Sequence, residues 1–247
     1  MISFVVFGFL LASVYAGTVA GPFAKILGGS NASVGEYPHQ VSLRLDSHFC
    51  GGSIIAINWI LTAAHCLYNI NIPRITIVVG TNQLNAGGTP YLVANATIHE
   101  YFNPPSTAND IGVIRVKTNI VTSNLVKIIS LANTLPADFS ICSLSGWGLT
   151  SYPSQIIPND LQHIQLYKIS LEECRRDLPT LTIYDTNVCT FKAPGQGACK
   201  GDSGGPLISG NVQIGVVSWG IPCALGVPDV FTSVPSYRSW ITNKTEV

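Results

Sequence analysis

The sequence predicts an all-β fold, a sandwich or barrel, on three observations. Short runs rich in β-branched residues recur at close spacing, clusters of Gly, Pro and Asn punctuate them, and helical periodicity is confined to two places. In chain order the strand candidates are HQVSLRL (39–45), ITIVVGT (75–81), YLVANATI (91–98), DIGVIRV (110–116), LQHIQLYKI (161–169) and NVQIGVVSWG (211–220). NAGGTP, NPPS and ISGN are the punctuation between them. Of the two helical stretches, SLEECRRDL (170–178) opens on a serine with acids in its first turn, the pattern of a capped helix. SYRSWITNK (236–244) is the second. No repeat of solenoid length and no low-complexity linker interrupts the series.

The first residues carry a different signal. SFVVFGFLLASVYA is an apolar run closing on Val14, Tyr15 and Ala16 ahead of Gly17, which predicts a secretory signal peptide over 1–16 although no basic residue precedes the run. A membrane anchor is the competing reading, but the run falls short of the roughly 18 apolar residues a span needs. The chain beyond it is long enough for one sizeable core or two small ones. Its charge is sparse and balanced, 13 basic against 13 acidic side chains, with no basic run and no cationic amphipathic helix. Nucleic acid and membrane surfaces are therefore not expected partners. Asn31-Ala-Ser, Asn95-Ala-Thr and Asn243-Lys-Thr are glycosylation candidates of the kind an exported chain carries. The 7 cysteines, in an exported chain, point to disulfides and leave at least one thiol over. CxxC and HxxxH spacings are absent, which argues against zinc.

Chemistry centres on GACKGDSGGP (197–206), where Ser203 sits in a run of small residues that an ordinary glycine turn would also explain. Upstream, TAAHC carries His65 and NDIGVI carries Asp110, and each alone is commonplace. Together, in the order His65, Asp110, Ser203, and with KILGG, CGGSII, LTAAHC, SGWG, VSWG and PDVF at their places, they resemble the trypsin-like (chymotrypsin) family of serine proteases. The resemblance runs from Ile26 to the C-terminus. It is strongest to the insect digestive chymotrypsins, notably through GACKGDSGGP followed by IPCALGVPDVF.

That resemblance implies two packed antiparallel six-stranded β-barrels, roughly 26–125 and 126–235, within a peptidase domain over 26–247, with a C-terminal helix and the site in the cleft between barrels. A serine hydroxyl attacks a peptide carbonyl only when a base takes its proton. By resemblance His65 is that base, Asp110 holds its tautomer, and the backbone N–H groups of Gly201 and Ser203 receive the oxyanion, where losing one donor costs on the order of 3 kcal/mol. Ser218, Trp219 and Gly220 resemble the edge strand that pairs with an extended substrate. Gly197 falls at the floor of the primary pocket, with Ala198 and Gly220 on its walls. No aspartate stands at that floor, so the expected substrates are peptides cut after Phe, Tyr or Leu. Asp229, however, replaces the glycine usual on the pocket wall, and the alternative is the broad specificity of crab-collagenase-like relatives that share this pair.

The same resemblance has further implications. Residues 17–25 are an activation propeptide, cut after Lys25 by a trypsin-like protease so that the freed Ile26 ammonium pairs with Asp202. Disulfides join Cys50 to Cys66, Cys174 to Cys189 and Cys199 to Cys223. Cys142 is a free thiol, because the partner position of many relatives is Ser209 here. The family's calcium loop, where present, supplies carboxylates between the histidine and aspartate segments, but no Asp or Glu occurs from Cys66 to His99, so neither metal nor other cofactor is expected. Expected partners are protein or peptide substrates, the activating protease and protein protease inhibitors, for a monomer secreted into the gut lumen. A venom or haemolymph protease is one competing reading. A catalytically inactive homologue acting as a binding protein is the other, although all three triad residues are present.

Overall fold

The computed structural model describes residues 26–151, 155–221, 223 and 225–247. The expected leader and propeptide, Lys25 included, lie outside the described residues. The strands are β1 (Ser30–Asn31), β2 (Gln40–Arg44), β3 (His48–Ala56), β4 (Trp59–Thr62), β5 (Thr76–Val79), β6 (Thr89–Ile98) and β7 (Gly112–Val116), then β8 (Ser130–Leu131), β9 (Ile141–Gly146) and β10 (Gln162–Ile169). Helix α1 (Leu171–Asp177) precedes β11 (Asn187–Phe191), β12 (Pro206–Ser209), β13 (Val212–Trp219) and β14 (Asp229–Ser233), and helix α2 (Arg238–Thr245) comes last.

Two closed six-stranded antiparallel barrels result, as the resemblance implies. The first runs β2-β3-β4-β7-β6-β5. The second runs β10-β11-β14-β13-β12-β9 and closes by pairing β9 with β10, while β1 adds to β10 and the short β8 lies parallel to β13. Inward alternation fills each interior. Val41, Leu43, Ile54, Ile60, Ile77 and Ile114 are fully buried in the first barrel, and Leu144, Leu166, Val188, Leu207, Ile214 and Phe231 are buried in the second. Each such side chain contributes about 1.5–3 kcal/mol on leaving water. The chain ends cross over. Ile26 is buried in the second barrel's core, whereas Tyr237 and Ile241, at the C-terminal end, join the core of the first.

Helix α1 starts where the sequence places it, because the Ser170 hydroxyl accepts the Glu173 N–H at 3.0 Å and satisfies one orphan donor of the first turn. Helix α2 begins two residues later than SYRSWITNK suggests, since Pro235–Tyr237 form a 3₁₀ turn first. All six strand candidates become strands. The face between the barrels is polar but paired. Ser53 Oγ donates to Gln213 Oε1 at 2.6 Å, and Ser145 Oγ donates to Gln40 Oε1 at 2.8 Å. Each of these bonds joins one barrel to the other, and burial in low dielectric makes their loss costly.

Candidate active site

His65 stands in the turn after β4, and its neighbour Cys66 is bonded to Cys50 of β3 with Cα atoms 6.2 Å apart, so the turn is stapled to the barrel wall. Asp110 stands just ahead of β7. The preceding Asn109 has φ +56°, a left-handed conformation that Asn tolerates better than most residues. Tyr237 Oη donates to Asn109 Oδ1 at 2.9 Å, and Asn109 Nδ2 donates to Tyr101 O at 2.8 Å, which locks the turn that aims Asp110 inward.

The Asp110 carboxylate is buried and collects three donors. Its Oδ1 accepts the His65 backbone N–H at 2.9 Å, and its Oδ2 accepts His65 Nδ1 at 2.8 Å and Ser218 Oγ at 2.5 Å. A carboxylate can only accept, so Nδ1 carries the imidazole proton and Nε2 keeps a lone pair. Ser218 reaches Asp110 because the β13–β14 register slips between Val217 and Trp219, making Ser218 the extra residue of a β-bulge. Thr232 Oγ1 adds a bond to the Asp110 carbonyl at 2.7 Å.

Ser203 comes from the other barrel. Its carbonyl accepts the Gly51 N–H at 2.7 Å, next to the disulfide that holds the His65 turn. Gly204 lies so close to that turn that a Cβ on it would stand 2.2 Å from Thr62 Oγ1. The structure therefore brings His65 and Asp110 into contact and sets Ser203 on the facing wall. The Ser203 hydroxyl has no hydrogen-bond partner among the described residues, and His65 Nε2 lies 3.7 Å from Cys66 Sγ. Such a bond is often open before substrate binds.

The backbone N–H groups of Gly201 and Ser203 likewise donate to no described group. Gly201 has φ +102°, and a Cβ there would come within 3.1 Å of Gly148 Cα and Trp147 O. Its carbonyl is held from behind by His48 Nε2 at 2.9 Å, with His48 Nδ1 2.9 Å from Ser42 Oγ. Nothing in the sequence singles out His48, because its role depends on a contact between residues far apart in the chain. Burial pushes His48 down to about 4, so it is neutral and its Nε2–H donates.

Asp202 is fully buried beside Ser203, its oxygens accepting Gly148 N–H at 2.7 Å and Cys199 N–H at 2.9 Å. A Cβ on Gly146 or Gly148 would sit 2.1 Å from those oxygens, which is why SGWG has glycine on both sides of Trp147. Burial raises Asp202 to about 6 against the pull of the two N–H groups. Ile26 is buried in the same barrel, and its carbonyl accepts the Gly29 N–H at 2.6 Å.

A cavity of about 210 Å³ opens beside Ser203, lined by Ala198, Cys199, Lys200, Val217–Ile221, Cys223 and Asp229. The expected floor residue, Gly197, is not among the lining groups. Any Cβ at 197 would stand 2.3 Å from Asp229 Oδ2. Asp229 thus takes up the room a side chain at 197 would need. Its Oδ2 accepts the Ala198 N–H at 2.8 Å. Burial raises it to about 7, with the like charge of Asp202 adding to the rise. Lys200, Val217 and Ile221 are lining groups that the motifs alone do not reveal.

All three expected disulfides form, with Cα separations of 6.2, 6.3 and 4.5 Å in chain order. Cys142 is free and buried, and burial pushes its thiol up to about 11. Asn31, Asn95 and Asn243 are all exposed. The family model described as Trypsin matches residues 26–241. The chain is 44% identical over 218 residues to Chymotrypsin-2 of Vespa crabro, covering 87% of this chain and 98% of that protein. It is 38% identical over 252 residues to Trypsin beta of Drosophila erecta, covering 98% and 99%. Among solved structures, neuropsin, a serine protease expressed in the limbic system of mouse brain, superposes with a TM-score of 0.82 at 30% identity over 87% of this chain and 98% of that one.

Proposed function

The chain belongs to the trypsin family of serine proteases, and from that premise we propose a secreted endopeptidase of chymotrypsin-like preference, cutting proteins after Phe, Tyr and Leu. His65 takes the Ser203 proton as the hydroxyl attacks the carbonyl, and Asp110 stabilises the imidazolium that forms. The free N–H groups of Gly201 and Ser203 hold the oxyanion, and His65 returns the proton to the leaving amine. The backbone from Ser218 to Gly220 pairs with the substrate chain.

One observation carries the preference. Asp229 has one oxygen committed to Ala198 N–H, and burial favours its neutral form, so the slot between Val217, Ile221 and the disulfide rewards apolar filling. That is worth about 1.5–3 kcal/mol, a ten- to hundredfold selection. Broad specificity is the second reading, and the same carboxyl favours it, since an acid does stand at the floor. Matched peptides ending in Phe, Leu and Arg at the cleaved residue decide: at pH 6, kcat/KM for Phe should exceed that for Arg at least tenfold. Arg equal to Phe there would discard the chymotrypsin-like preference. Stoichiometric labelling of Ser203 by a sulfonyl fluoride separates this enzyme from an inactive homologue.

The precursor is activated by cleavage after Lys25, which releases the Ile26 ammonium toward Asp202. A buried carboxylate gains most from such a partner. The mature domain, 26–247, acts as a monomer in the gut lumen, with protein protease inhibitors as partners and glycans on exposed sequons.

A further inference from the structure

Arg44, the last residue of β2, starts a hydrogen-bond chain that ends at the loop before Ser203. Its Nε donates to Ser42 Oγ at 3.0 Å, Ser42 Oγ lies 2.9 Å from His48 Nδ1, and His48 Nε2 lies 2.9 Å from Gly201 O. The guanidinium is anchored on its other side, where Nη1 donates to Leu84 O at 2.8 Å. No salt bridge to Arg44 occurs among the described residues, and Asp46, two residues on, faces Arg74 instead. A cavity of about 590 Å³ opens against Arg44, His48 and Leu84.

The chain has a direction, and both of its ends set it. Gly201 O can only accept, so His48 Nε2 carries the ring proton and Nδ1 is bare. Burial keeps the ring neutral, and the Arg44 charge opposes its protonation as well. At the other end a guanidinium can only donate, so it fills one lone pair of Ser42 Oγ and leaves the hydroxyl proton for Nδ1. A reversed chain would make Oγ accept twice and strand its own proton, which has no other acceptor among the described residues, at a side chain that is 0% exposed. Without Arg44 the cavity reaches toward Ser42, and the hydroxyl proton can turn to water. His48 is then free to adopt the other tautomer, which points a bare Nε2 at Gly201 O.

The far end matters because Gly201, at φ +102°, is held by the peptides on its two sides. Leu149 N–H donates to Lys200 O at 2.8 Å and pins the peptide that carries the Gly201 N–H, while His48 pins the peptide that follows. We propose that Arg44 is a positioning residue for the oxyanion donor, fixing the direction of the Ser42–His48–Gly201 chain from the opposite side of the barrel wall. The inference rests on the endopeptidase reading of the site.

Two measurements on the cleaved enzyme test it. Nitrogen NMR of the histidine rings near neutral pH, with His48 assigned through His48→Gln, needs no turnover. Wild type and Arg44→Lys, which keeps a donor-only cation, should show His48 protonated at Nε2 alone, and Arg44→Met should show both tautomers. The second measurement separates transition state from ground state. A peptide boronic acid takes the Ser203 Oγ electron pair at boron while the hydroxyl proton passes to His65, giving a tetrahedral anion. In Arg44→Met, kcat and boronate affinity should each fall about tenfold, with KM and the affinity of the twin carrying hydrogen in place of the boronic acid within about twofold of wild type. Arg44→Lys should restore most of the loss. Arg44→Met with wild-type kcat and an unchanged His48 tautomer overturns the inference, and so does an equal loss of affinity for both ligands, which would make Arg44 merely structural. Wild-type enzyme that neither cuts peptides nor binds the boronate discards the endopeptidase reading instead, and the tautomer measurement still judges the direction of the chain.

Discussion

Burial shifts histidines in the first barrel and carboxyls in the second. The first holds His39 and His48, both pushed down to about 4 by burial, and the second holds Asp202 and Asp229, raised to about 6 and 7 by the same cause. Desolvation disfavours whichever form is charged, so one physical effect lowers the imidazoles on one side of the cleft and raises the carboxyls on the other. The histidines serve as fixed donors and packing groups, as His48 does behind Gly201. Neither carboxyl has a salt-bridge partner among the described residues, and under the proposed activation a new N-terminus supplies one for Asp202. On the proposed activation, the second barrel is the responsive half and the first is the frame.

The largest effect tests whether the halves act as one machine. His65 belongs to the first barrel and Ser203 to the second, yet the proposed mechanism has them share a single proton transfer. Ser203→Ala and His65→Ala should each lower kcat by roughly 10⁵–10⁶, and the double variant should lose no more than either alone. Additive losses, measured on protein shown folded by circular dichroism, would mean that the two residues act in separate steps.

Legibility in the sequence differs between the halves too. His65, Asp110 and Ser203 are readable because each lies in a motif whose neighbours are constrained: Gly204 by the approach of Thr62, Gly146 and Gly148 by the Asp202 carboxylate. Strands β3, β9, β12 and β14 do not announce themselves, since HFCGGSIIA, ICSLSG, PLIS and DVFTS mix Cys, Gly, Pro and Asp into short runs whose pairing comes from the barrel. His48 is invisible because its partner, Gly201, lies 153 residues away. Asp229 is legible as a departure, but where its carboxyl rests depends on Gly197 leaving the space, and only the fold puts 197 and 229 together.

A second test sets the two pH responses against each other. A histidine whose folded value lies below its unfolded one contributes stability that is complete above about 6.5 and lost as the pH falls through 4. A carboxyl whose folded value lies above its unfolded one behaves oppositely, its contribution complete below about 4 and lost as the pH rises through 6 to 7. In the uncleaved chain the two slopes oppose each other between these limits. Cleavage after Lys25, by giving Asp202 a cation, should remove its share and leave the histidines dominant. The cleaved enzyme should therefore lose urea resistance between pH 6.5 and 4, by on the order of 3 kcal/mol for each histidine, and more steeply than Lys25→Gln protein held as precursor. Replacing His39, whose Nε2 is buried without a partner, by Phe should remove about half of that acid sensitivity. Parallel pH profiles for precursor and cleaved enzyme would refute the assignment of Asp202 to the new N-terminus.

The smallest effect sharpens the contrast within the second barrel itself, between acids that respond and a thiol that does not. Cys142 lies on β9 in the core beside Leu144 and Leu166, its Sγ 3.7 Å from the Ser140 carbonyl, and burial holds the thiol protonated. The thiolate is the reactive form, so at pH 8 the folded enzyme should not react with a thiol reagent, and one equivalent should react once urea unfolds it. Cys142→Ala removes only a sulfur from a packed site and should cost roughly 1–2 kcal/mol, with kcat/KM unchanged, since no described contact joins it to the cleft. Non-reducing mass analysis should give a monomer. A dimer linked through Cys142, or rapid labelling of the folded protein, would require β9 to part from β10 and β12 under native conditions.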